Sequence, residues 1–147
     1  MILIDTGPLV ALFDPRDGDF AGCHKVLNTI SEPLYTTEAV LTEALHMLEP
    51  GTKGEEGLKV FFLEDYVALE SLEKTLLARC FELMDKYADI PMDFADATLV
   101  ALAEKRKINN IFTLDFKDFA AYRYKKGYRY ETFRLVGSRE LAFSPRP

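Results

Sequence analysis

Carboxylates in this 147-residue chain collect at the ends of its apolar segments. Asp5 directly follows the apolar run Ile2-Leu3-Ile4, and Asp115 follows Asn110–Thr113 with Leu114 between. Asp93 and Asp96 open a stretch that is apolar nearly all round. Glu43 falls two turns into a helical segment, with Ala39, Val40 and Met47 on its own face. Carboxylates gathered within a few ångströms cannot all stay ionised unaided. A divalent cation relieves that repulsion, and a set of oxygen donors suits Mg²⁺ or Mn²⁺. Such an ion activates water and stabilises the leaving oxygen of a phosphodiester. It also lets an acidic pocket accept a polyanion.

Each acid has a plainer role open to it. Asp5 suits the cap of a turn before Pro8, Asp93 the N-cap of the helix it opens, and Asp115 a post-strand turn. Asp96 suits the first turn of a helix, where it complements the dipole. Asp118 reads as a solvated or capping acid. Glu43 is the hardest to dismiss, because an acid on an apolar stripe needs a partner. Neither His24 nor His46 stands in metal-ligand spacing with the other or with the cysteines, and both read as packed or surface residues.

The elements that must position these acids alternate between strand-like and helix-like. Met1–Ile4 is a short, fully apolar run, as expected of a buried parallel strand. Thr6-Gly7-Pro8 opens a helix with proline in its first turn. Helical spacing covers Asp19–Ile30, and Pro33–Tyr35 makes a second strand. Thr37 reads as the N-cap of a helix running to about Glu49. Gly57–Asp65 is helical, Tyr66–Leu69 is a third strand, and Leu72–Tyr87 is a long amphipathic helix. Asp93–Lys107 reads as a buried helix, Asn110–Thr113 as a fourth strand and Phe133–Val136 as a fifth. This alternation predicts an α/β chain of one domain over 1–147, its parallel sheet covered on both faces, with 139–147 a loose tail. Ligands of an open parallel sheet gather at the strands' carboxyl ends, where the strand order reverses. If the first and fourth strands are neighbours, Asp5 and Asp115 meet there.

Composition narrows the class. The 48% apolar and 29% charged content suits a soluble globular protein. Cys23 and Cys80 read as ordinary buried thiols of a reducing compartment. No leader pattern and no run of membrane-spanning length is found, so a cytoplasmic location is expected. The net charge of −6 is uneven: residues 117–147 carry +5 and residues 1–116 carry −11. Within the basic part, Tyr122–Tyr130 interleaves tyrosines with cations. Arg123, Tyr124, Lys125, Lys126 and Arg129 are the candidate contacts to single-stranded RNA, by stacking and phosphate neutralisation. The plainer reading is an amphipathic hairpin turning at Lys126-Gly127. A Gly-rich phosphate loop, a Ser/His or Cys/His pair, a phosphatase-type aspartate pair and a receiver-type acid set do not fit the chain.

Taken in order, several segments resemble the PIN domain. They are Ile2-Leu3-Ile4-Asp5-Thr6, Asp14-Pro15-Arg16-Asp17, Thr36–Glu43, Met92-Asp93-Phe94-Ala95-Asp96-Ala97 and Ile111-Phe112-Thr113-Leu114-Asp115. Within that family the chain is similar to the small stand-alone toxins of VapBC-type toxin–antitoxin pairs, over nearly its whole length. The Asp-Ala pair and the Thr-x-Asp are the more specific pieces, and Gly7-Pro8 departs from the usual pattern at the pocket mouth. The resemblance implies a three-layer α/β/α sandwich with strand order 3-2-1-4-5. It implies that Asp5, Glu43, Asp96 and Asp115 are the catalytic acids, with Asp5, Asp96 and Asp115 on the metal. Thr6, Asp93 and Thr113 would support them. It further implies a Mg²⁺- or Mn²⁺-dependent endoribonuclease, a homodimer and a small antitoxin partner. The competing expectations are a non-catalytic module that binds RNA or protein, and a phosphatase or DNA nuclease on the same acids.

Overall fold

The computed structural model describes residues 1–138 and Leu141. Strand β1 (Ile2–Ile4) is buried along its length and central in the sheet. It is followed by α1 (Thr6–Phe13), α2 (Phe20–Leu27), β2 (Leu34–Thr37), α3 (Glu38–Met47), α4 (Lys53–Leu63) and β3 (Val67–Glu70). Next come α5 (Lys74–Lys86), α6 (Phe94–Arg106), β4 (Asn110–Phe112), α7 (Phe116–Ala121), β5 (Arg123–Lys126), β6 (Arg129–Thr132) and β7 (Arg134–Leu135). The main sheet has five strands in the order β3-β2-β1-β4-β7, all paired in parallel. Helices flank it, giving the three-layer architecture expected. The expected fifth strand is β7, and the expected order holds once the β5–β6 hairpin is set aside as a separate two-stranded sheet.

Strand order decides where the acids go. β1 pairs with β2 on one side and β4 on the other, with Ile4 opposite Phe112. One further bond, from Asp5 N–H to the Phe112 carbonyl at 3.0 Å, extends the pairing to the first acid. The chain leaves β1 and β4 in opposite senses across the sheet, so their carboxyl ends form the reversal point where side chains from several elements converge.

Helix α6 carries the longest unbroken run of buried residues among the described residues, Ala95 to Ala103. Its alanines let it lie close against α5 and β2. Asp93 caps it, accepting the Asp96 N–H at 2.8 Å, and Lys107 closes it in the left-handed region at φ 57°. Thr37 caps α3 as expected, and its hydroxyl lies 2.7 Å from that of Thr98 on α6.

Three local readings change. Helix α4 starts at Lys53 rather than Gly57, because the Thr52 hydroxyl caps it by accepting from Glu55 N–H. Helix α7 stands where the sequence showed no element. The hairpin turns at Gly127-Tyr128, one residue later than expected, with Lys126 opposite Arg129 and Gly127 at φ +64°. Of the stretch expected to be a loose tail, only Leu141 is described, and it is fully buried. Among the described residues no helix is long and apolar enough to cross a membrane.

Candidate metal-binding active site

An open pocket of about 330 Å³ lies at the carboxyl ends of β1 and β4. It is lined by Asp5, Thr6, Gly7, Glu43, Met47, Asp93, Asp96, Leu114 and Asp115. All four expected catalytic acids are therefore brought together. A larger cleft of about 740 Å³ holds Ile2, Glu32, Asn110 and Arg134, but no comparable cluster of acids. Chemistry, not size, selects the smaller one.

Asp5 is 7% exposed and tightly held. Its Oδ1 accepts from Thr6 N–H at 2.7 Å, so it caps α1, and its Oδ2 accepts from the Thr113 hydroxyl at 2.8 Å. Capping and facing the pocket, posed as alternatives from sequence, are both true of this residue. The same Thr113 oxygen accepts from Asp115 N–H at 2.9 Å, so one buried threonine fixes both strand-end acids. Burial pushes the Asp5 carboxyl up to about 6 despite these two donors, and the Asp115 and Asp93 charges add to the rise.

Asp96 is 8% exposed, in the first turn of α6. Its carboxyl is pushed up to about 8, by burial first and then by the charges of Asp5 and Asp93. Tyr122 donates its hydroxyl to Asp96 Oδ2 at 2.9 Å, which partly opposes that rise. Glu43, half-buried, is raised by burial and by Asp93. Asp115 is raised by burial and by contact with the Asp118 carboxyl.

Asp96, Asp115 and Asp118 each present a carboxylate oxygen within 4.8 Å of the other two. Asp118, read from sequence as a solvated or capping acid, is thus half-buried and part of the cluster. It was missed because its position depends on α7, where Asp115 and Asp118 stand three apart on one helical face. Asp93 performs the capping role and also lines the pocket. Thr6 contributes a buried hydroxyl that has no hydrogen-bond partner among the described residues.

These observations fit a divalent cation. The donors are oxygens, three lie within bridging distance of one another, and every resolved shift among the pocket acids is upward. Those shifts come first from burial and then from neighbouring carboxylates, with no basic side chain among their causes. A hard oxygen-ligated ion such as Mg²⁺ or Mn²⁺ supplies the positive charge that the side chains do not.

The expected RNA contacts divide. Lys125, Lys126 and Arg129 are exposed on the hairpin. Arg123 instead turns back to donate to the carbonyls of Ala120, Ala121 and Tyr122. Tyr124 is 3% exposed and packs on Phe133, so it belongs to the core; the hairpin's exposed rings are Tyr128 and Tyr130. The hairpin runs away from the acids. Tyr122 meets Asp96 in the first turn of α6, whereas Lys125 N–H meets Glu104, about 12 Å further along that helix. His46 is exposed, and His24 lies 2.8 Å from the Leu12 carbonyl, so neither enters the pocket.

The sequence pattern of the PIN domain family matches residues 2–124. A curated relative, ribonuclease VapC26 of Mycobacterium tuberculosis, is 25% identical over 124 residues, covering 83% of this chain and 92% of the relative. Among solved structures, M. tuberculosis VapC20, described as a sarcin-ricin loop cleaving toxin, superposes with a TM-score of 0.75. It is 22% identical and aligns over 82% of this chain and 95% of its own. A toxin–antitoxin complex from Klebsiella pneumoniae superposes with a TM-score of 0.62 at 19% identity, over 82% of this chain and 91% of its own.

Proposed function

Because this chain belongs to the PIN domain family, we propose that it is a metal-dependent endoribonuclease and the toxin of a toxin–antitoxin pair. The observation that supports this most is the convergence of Asp5, Glu43, Asp96, Asp115 and Asp118 at the one point where the sheet reverses. A ribonuclease and a toxin among its relatives point the same way.

In this reading Asp96, Asp115 and Asp118 hold Mg²⁺ or Mn²⁺, with Asp5 beside them. When bound, the ion lowers the pKa of a coordinated water and draws charge from the phosphate oxygens. The protein's part is to keep its acids fixed. Thr113 and the Thr6 amide hold both oxygens of Asp5 in place. Glu43, at the pocket mouth, orients the attacking water by hydrogen bonding. Lys125, Lys126 and Arg129 neutralise phosphates of an RNA long enough to reach from hairpin to pocket. The exposed apolar side chains Val60, Leu63 and Tyr66 on and beside α4 offer a surface to a protein partner, a small antitoxin or a second copy of the chain. The protein works in the cytoplasm, where its RNA is.

The test is Asp5→Asn, which keeps size and shape and one of the two acceptor oxygens while removing the charge. Cleavage of RNA should disappear while the thermal transition and circular dichroism stay those of a folded protein. Wild-type cleavage by a folded Asp5→Asn protein would sink the acid-cluster reading, and RNA left intact by folded wild type would favour a non-catalytic binding module.

A further inference from the structure

Tyr122 is fully buried, yet its hydroxyl ends on a carboxylate of the active site. Three features fix where that hydroxyl points. The Tyr122 N–H closes α7 by donating to the Asp118 carbonyl at 2.9 Å. Its ring meets Phe119 edge-on at 5.1 Å and 84°, and Tyr87 at 5.2 Å and 68°. Tyr87 is itself anchored, accepting the Arg123 N–H at 2.9 Å. A ring caged on two sides cannot swing, so the O–H keeps one direction.

The sequence spacing adds to this. Asp115, Asp118 and Tyr122 stand at intervals of three and four, on one face of the α7 region. That one face supplies two of the clustered acids and the donor that grips the third. Asp96 comes from a different helix, and its Oδ2 takes the Tyr122 bond while Oδ1 makes no hydrogen bond among the described residues. A carboxylate held by one oxygen offers the other in a fixed direction, the way outer partners of metal sites orient their ligands.

We propose that Tyr122 is a positioning residue of the nuclease site: its phenol orients the Asp96 carboxylate so that it can join Asp115 and Asp118 on a divalent cation. This rests on the metal-dependent reading above. The rival explanation is that a buried tyrosine hydroxyl simply needs some partner. Tyr87 is the internal control for it. It belongs to the same aromatic cluster and its hydroxyl is bonded to backbone, away from the acids.

The experiment compares Tyr122→Phe, Tyr87→Phe and Asp96→Asn with wild type by titrating Mn²⁺ into the purified protein in a calorimeter, beside thermal unfolding and RNA cleavage across Mn²⁺ concentrations. Tyr122→Phe should fold and bind Mn²⁺ roughly tenfold more weakly. Its cleavage should recover towards wild type at saturating Mn²⁺, a change in the metal requirement rather than in the maximal rate. Tyr87→Phe should bind Mn²⁺ as wild type does, and Asp96→Asn should lose the tight site. A folded Tyr122→Phe protein with wild-type Mn²⁺ affinity would overturn the positioning role alone. Equal weakening by Tyr87→Phe would overturn it in favour of general packing. A wild type that binds no Mn²⁺ would overturn the metal reading beneath it.

Discussion

Asp96→Asn should stabilise the protein in the absence of metal. Asp96 carries the most strongly raised carboxyl of the pocket, from an ordinary 3.8 to about 8, because it is buried beside Asp5 and Asp93. A carboxyl that binds its proton more tightly when folded than when unfolded favours folding at low pH. Since the native state then holds more protons than the unfolded state, stability falls as pH rises, from about 4 until about 8. At pH 7 the gap of roughly three pH units corresponds to a ceiling of about 4 kcal/mol. Water entering the open pocket lowers that figure, and a gain of about 1–4 kcal/mol is expected. Each kcal/mol moves the melting temperature by roughly 3 °C in a domain of this size. Asparagine keeps an acceptor for the Tyr122 hydroxyl, so the gain isolates charge. The raised carboxyls of Asp5, Glu43 and Asp115 act in the same direction. Asp14, Glu55 and Glu70 are shifted downward, and their contribution is lost only below about pH 4.5. Urea unfolding in chelator from pH 5 to pH 8 therefore reads the pocket. Wild type should lose stability across that window, and the variant should lose less and be the more stable at pH 8. Mn²⁺ should stabilise wild type and not the variant. A variant no more stable than wild type at pH 8 in chelator, or a wild type that gains stability between pH 5 and pH 8, would refute the reasoning.

Other outcomes follow from single contacts. Thr113→Val strands Asp5 Oδ2 and the Asp115 N–H without their partner, and should cost about 2–3 kcal/mol in urea unfolding while slowing cleavage. Asp118→Asn should weaken Mn²⁺ binding by roughly tenfold or more with the fold retained; an unchanged calorimetric Kd would remove Asp118 from the metal set. Replacing Lys125, Lys126 and Arg129 by glutamate should lower RNA affinity in chelator and flatten its dependence on salt. Equal affinity and an equal salt slope would take the hairpin out of the RNA path.

What the sequence made legible was what depends on short-range rules. Buried strands read as apolar runs, and the caps Thr37 and Asp93 read from their place before helical spacing. The acids read from their repeated position after those strands. What escaped depends on packing across the chain. Helix α7 spans only Phe116–Ala121, too short for a periodic signal, and with it Asp118 and Tyr122 lost their place. Gly57 suggested a helix start, but the Thr52 cap carries α4 through both glycines. Tyr124 looked like a stacking ring among cations. Strand alternation turns it inward onto Phe133 and leaves Lys125 outside.

The most direct test of the central claim is cleavage of a labelled structured RNA by purified protein with Mg²⁺, with Mn²⁺ and with chelator, beside matched single-stranded DNA and the Asp96→Asn variant. RNA cut only when metal is present, with cleavage lost in a folded Asp96→Asn protein, is the predicted result. RNA left intact by folded wild type in every condition, or cut equally well in chelator, would contradict it.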